Sequence, residues 1–73
     1  MREVSVTAYY VNTNAQQNGD HEVHKSGCAF LPVASHTRYL GDFGNCYAAV
    51  QEARKHYPQS NGCYYCSPEC HTS

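Results

Sequence analysis

Asn61 to His71 reads NGCYYCSPECH, three cysteines and a histidine in one short stretch. Cys63 and Cys66 form a C-x2-C pair, a spacing that lets two thiolates and the backbone N–H groups between them wrap one tetrahedral ion. Redox motifs share that spacing, so a metal reading needs a second pair. His24 and Cys28 supply one as H-x3-C, where a strand pattern runs into a Gly-containing turn. His24, Cys28, Cys63 and Cys66 together are a closed Cys3His set of the structural zinc type. Sulfur and imidazole donors favour Zn2+ over Mg2+ or Ca2+, with iron the competing ion.

The rest of the chain needs such a staple. At 73 residues it is read as a single domain, residues 1–73, and domains this small bury little apolar surface. There is no tryptophan, and seven tyrosines with two phenylalanines must fill much of the core. An odd count of five cysteines suits a ligand set plus spectators better than complete disulfide pairing. MREVSVTAYYVN lacks the continuous apolar run of a signal peptide, and no stretch reaches membrane-spanning length. A cytoplasmic, reducing setting is therefore expected, where cysteine pairs more often bind metal. Five Lys+Arg against six Asp+Glu give a net charge of −1, without the basic excess that phosphate binding or an anionic membrane surface demands.

The pattern along the chain predicts an α+β fold: a small zinc-stabilised domain with an N-terminal β-hairpin, a short third strand and one main helix. Arg2 to Asn12 alternates as a half-buried strand, with Val4, Val6, Ala8 and Tyr10 on one face and Ser5, Thr7 and Tyr9 on the other. The polar run Asn12 to Asp20 turns the chain, and His21 to Lys25 returns antiparallel. Thr37 to Leu40 is the third strand, closed by Gly41. Asn45 to Tyr57 is the helix, capped by Asn45, stopped by Pro58, and apolar along Cys46, Val50, Ala53 and Tyr57. PQSNG leads from it into the cysteine cluster.

VHKSGC, then CYAAVQEARKHY, then GCYYCSPEC resembles the Ada-like zinc-binding module. That superfamily includes the N-terminal domain of the Ada DNA-repair methyltransferase and small modules appended to bacterial nucleases. The shared core runs from about His24 to Cys66, with a helix between the two ligand pairs and a hairpin before them. In the repair enzyme the first ligand of the first pair is a cysteine that accepts a methyl group. His24 stands at that position here, so the resemblance implies zinc binding and fold but not that reaction.

Other residues have plainer readings. Cys46 is expected as a buried core thiol, Cys70 as a free terminal one, His56 as a partner of the helix C-terminus, and His21 and His36 as solvated. One of Tyr64 and Tyr65 is expected to cover the site. Cys70 or His71 is the competing fourth ligand in place of His24, although a terminal segment frays easily. Four protein ligands leave no open position for substrate, and there is no H-E-x-x-H helix, phosphate loop or nucleophile elbow. The expectation is a non-enzymatic, monomeric interaction module with a protein partner on a sheet edge or a Tyr9/Tyr64/Tyr65 surface. A nucleic-acid-binding module is the alternative, and a thiol-based enzyme or sensor using Cys70 is a third reading.

Overall fold

The computed structural model describes residues 5–72. A four-stranded sheet carries one helix on one face: β1 (Thr7–Asn12), β2 (His21–Lys25), β3 (Thr37–Phe43), α1 (Cys46–Arg54) and β4 (Ser60–Gly62), in the spatial order β3-β1-β2-β4. The α+β architecture is the one expected. Two short 3-10 turns, Ala34–His36 and Pro68–Cys70, complete it.

The predicted hairpin forms, with Tyr10 opposite His24 and Val11 opposite Val23. The structure decides which face of β1 is buried. Tyr9 and Val11 enter the core, whereas Val6 is exposed. Val11 lies at the end of the alternating run and decides the parity, because a fully buried valine gains more than an exposed one loses. Val4 and the start of the expected strand lie outside the described residues.

β3 is longer than expected and runs through Gly41. Tyr9 pairs with Gly41 and Tyr10 with Tyr39, leaving Leu40 as the extra residue of a β-bulge. In a regular strand Leu40 and Phe43, three apart, would face opposite sides. The bulge resets the alternation, and both pack against the core. Gly41 permits this with φ +133, a conformation that side-chain-bearing residues rarely adopt.

Asn45 caps α1 by accepting the Ala48 amide at 3.0 Å. Cys46, Ala49, Val50 and Ala53 form its buried stripe against Tyr9, Val11 and Val23. The helix stops at Arg54, short of the predicted Tyr57, because Pro58 disfavours helical geometry at the residue before it. The chain turns there: the Ser60 hydroxyl donates to the Tyr57 carbonyl at 2.6 Å, and Arg54 Nε donates to the Ser60 carbonyl at 3.3 Å. Tyr57 still packs against the core, and its ring stacks on His21 at 4.1 Å. His21 also bonds the Asn12 carbonyl through Nδ1 at 2.9 Å, so it is engaged rather than merely solvated.

PQSNG, expected only as a connection, contains β4, which pairs parallel to β2 with His21, Glu22 and Val23 opposite Ser60, Asn61 and Gly62. A buried polar network holds this edge. Asn61 Oδ1 accepts from the Gly62 and Thr72 amides at 3.0 and 2.9 Å, and its Nδ2 lies 3.4 Å from Asp20 Oδ2. Gln59 Nε2 donates to Asp20 Oδ1 at 2.8 Å.

Cys46 and Cys70 are joined by a disulfide, correcting the expectation of a core thiol and a free terminal thiol. Both are buried within the helix-side core. The bond ties the first turn of α1 to the 3-10 turn after the cysteine knuckle. It also takes two of the five cysteines out of the unpaired set that the odd count suggested. Closing a loop over a sequence separation of 24 stabilises by about 3 kcal/mol through the unfolded state. Paired Cys46→Ala and Cys70→Ala substitutions should therefore lower unfolding free energy by about that amount in denaturant titrations. Thiol counting on the denatured, unreduced protein should find Cys28, Cys63 and Cys66 and no others; five reactive thiols would exclude the bond.

Candidate metal site

His24 lies one residue before the end of β2, and alternation turns it away from the Val23 face that meets α1. After Lys25 the chain turns through Ser26 and Gly27, the latter at φ +87, and the Cys28 amide donates to the Lys25 carbonyl at 3.1 Å. This turn folds Cys28 back beside His24, so that its Sγ lies 3.6 Å from His24 Nδ1. β4 delivers the second pair. The Cys63 amide donates to the Val23 carbonyl at 2.9 Å, extending the parallel ladder, and the Ser67 amide closes the knuckle onto the Cys63 carbonyl at 2.9 Å.

Gly62 makes the approach possible. A Cβ there would stand 2.6 Å from Cys70 Cβ and 2.8 Å from the Ser67 carbonyl oxygen, so only glycine lets β4 lie under the tail.

His24, Cys28, Cys63 and Cys66 each present one donor atom, and all four lie within 4.8 Å of one another. They form a possible metal-binding cluster, with a single ion as the natural occupant. Metal–sulfur bonds of about 2.3 Å in a tetrahedron imply sulfur–sulfur edges of about 3.8 Å. The Cys28–Cys63 separation is 3.9 Å. The 3.6 Å imidazole–sulfur distance matches the shorter edge expected when one bond is to nitrogen.

The surroundings suit thiolates. The Lys25 amide donates to Cys66 Sγ at 3.4 Å. Backbone amides of Phe30 on Cys28, and of Cys66 and Tyr65 on Cys63, also favour the ionised sulfurs. Without a cation these bonds are not enough: burial first, then the neighbouring cysteines, push the Cys28 thiol from the ordinary 9.0 up to about 12. Burial raises the Cys63 thiol in the same way. Burial lowers His24, with Glu22 opposing, which keeps the imidazole in the neutral form a metal requires. His24 and Cys63 are each 1% exposed, and His24 Nε2 is a buried nitrogen with no hydrogen-bond partner.

The competing tail donors are committed elsewhere. Cys70 is in the disulfide, and His71 uses Nδ1 toward the Gly62 carbonyl at 3.1 Å. His56 lies 3.8 Å from Glu52, and His36 is exposed. Tyr64 and Tyr65 are both exposed, the latter stacked on Phe30 at 4.2 Å. The expected Tyr9/Tyr64/Tyr65 surface does not exist, because Tyr9 is in the core. Sequence reasoning foresaw amides within the C-x2-C pair, but not those of Lys25 on Cys66 and of Phe30 on Cys28. Glu22, two residues before His24 on β2, also comes near the site: its Oε1 lies 3.7 Å from His24 Nε2.

No helix among the described residues is long and apolar enough to cross a membrane. No family model matches the chain, and neither a curated protein nor a solved structure matches it.

Metal uptake at pH 7 should release about three protons per ion, one from each ligating thiol and none from the already neutral imidazole. Affinity should accordingly fall about a thousandfold for each unit of pH lost near neutrality. Calorimetric titration in buffers of different ionisation enthalpy reads the number directly. Release near zero would remove the thiols from the site.

Proposed function

We propose that the chain is a structural zinc domain serving as a non-enzymatic interaction module for a protein partner. The observation that carries this reading is the convergence of four donor atoms of the Cys3His type within 4.8 Å. Such a set suits Zn2+, and its four protein ligands fill the tetrahedral shell that catalytic zinc leaves partly open. The resemblance of the His24–Cys66 pattern to Ada-like zinc modules supports the same ion. The ion's chemistry here is to hold ligands rather than to activate water: His24 and Cys28 bring the hairpin, and Cys63 and Cys66 bring the segment after β4. That join supplements a core in which the residues with the largest fully buried side chains are His24, Val11, Val23, Cys63 and Ser67.

A protein partner is favoured by what the surface offers. Phe30, Tyr64 and Tyr65 are exposed together beside the ligand knuckle, joined by ring contacts at 4.2 and 5.3 Å. Aromatic side chains of this kind are enriched in protein interfaces. Two of the five cationic side chains are already engaged: Lys55 pairs with Glu52 at 3.0 Å, and Arg54 Nε is used on the Ser60 carbonyl.

Elemental analysis of the purified protein should find one zinc per chain. Cobalt(II) in its place should give the visible d–d bands of a tetrahedral ion with thiolate charge transfer. His24→Ala should weaken metal binding and loosen the fold, whereas His24→Cys should retain it, since zinc accepts either donor. Chelator should lower stability sharply with the disulfide intact. A chain that keeps its melting temperature in chelator and takes up no cobalt would overturn the zinc reading.

Generic duplex DNA should bind weakly, with a log–log salt slope no steeper than about −2 to −3, because two or three cations at most can face one backbone. Micromolar affinity at physiological salt with a steeper slope would favour the nucleic-acid reading.

A further inference from the structure

We infer that Glu22 is a positioning residue for the metal site, accepting a hydrogen bond from His24 Nε2–H and so presenting Nδ1 to the ion. This rests on the metal-binding reading above and deepens it. An imidazole that gives one nitrogen to a metal carries its proton on the other, and that N–H needs an acceptor when buried. In this site the two nitrogens are already sorted. Nδ1 faces the cluster, 3.6 Å from Cys28 Sγ. Nε2 faces away from it, is buried, and has no hydrogen-bond partner. A buried donor left unpaired is destabilising, so the position calls for an acceptor.

Glu22 is that acceptor. It stands two residues before His24 on β2, and strand alternation puts both side chains on the face away from α1. Its Oε1 is 3.7 Å from Nε2, about 0.8 Å beyond an N–H···O hydrogen bond. The Glu22 side chain is 18% exposed, and the inferred bond requires its carboxylate to approach Nε2 by that distance. Closing it fixes the Nε2–H tautomer, orients the ring and strengthens Nδ1 as a donor. Such outer carboxylates change metal affinity by about 10–100-fold.

The test is a double-mutant cycle read by chelator competition with Zn2+, together with the ¹⁵N shifts of His24 in the loaded protein. In the wild type, Nδ1 should carry the metal-bound shift and Nε2 should carry the proton. Glu22→Ala should lower zinc affinity about 10–100-fold while amide dispersion persists at saturating metal. Glu22→Gln, whose amide oxygen still accepts, should recover part of that loss. In the His24→Cys protein there is no ring N–H to hold, and Glu22→Ala should change affinity less than about twofold. An equal loss in both backgrounds would make Glu22 a merely structural residue and overturn the inference. So would Nε2 as the metal-bound nitrogen, or unchanged affinity in Glu22→Ala. A wild type that binds no zinc would instead overturn the metal reading itself, which distinguishes the two failures.

Discussion

Three thiols and an imidazole held within 4.8 Å of one another are the constraint on which the architecture turns. Burial and the neighbouring cysteines raise the Cys28 and Cys63 thiols, and the imidazole has a buried nitrogen with no hydrogen-bond partner. A dication reverses each of these terms together. It favours the thiolates, which backbone amides are already placed to support, and it gives the imidazole a defined donor face. An ion bound there would make its binding and folding one equilibrium. That fits a chain whose apolar core is small.

The two halves of the cluster meet because β4 pairs with β2. The ladder that sets Gly62 opposite Val23 continues in the Cys63 amide, so the first knuckle ligand arrives by backbone hydrogen bonding rather than by a flexible loop. Gly62 and the Asn61 network make that strand possible at the edge of the sheet, next to the tail. The Cys46–Cys70 disulfide then secures the exit of the knuckle to α1. The disulfide thus lies in the helix-side core, and the donor cluster gathers at the end of β2. Each restrains the segment Cys63–Cys70.

The hairpin, the helix and the candidate donors were legible in the sequence because each has a local signature. Asn45 before an alanine-rich run and Pro58 after it bracket one helix, and H-x3-C with C-x2-C specifies donors at spacings that one ion can span. What was not legible lay in choices between equally local patterns. The strand Thr7–Asn12 alternates in a way that allows either face inward, and only packing Tyr9 and Val11 against α1 decides it. Gly41 reads as a strand end, yet a bulge there lets Leu40 and Phe43 share the core side.

Cysteine fate divides along the same line. Four donors at motif spacing could be read from the chain because the chemistry of one ion dictates their types and separations. The pairing of Cys46 with Cys70 could not, since it requires the helix start and the tail to come within disulfide reach, Cα to Cα 6.3 Å, after both have folded. The choice of His24 over Cys70 or His71 was likewise left open by spacing. In the fold β4 lies beside β2, which brings the knuckle to His24, while Cys70 and His71 are bonded elsewhere. Local sequence determined which side chains were suited to a metal, and long-range pairing decided which of them meet, because strand register and chain closure depend on contacts that no short segment contains.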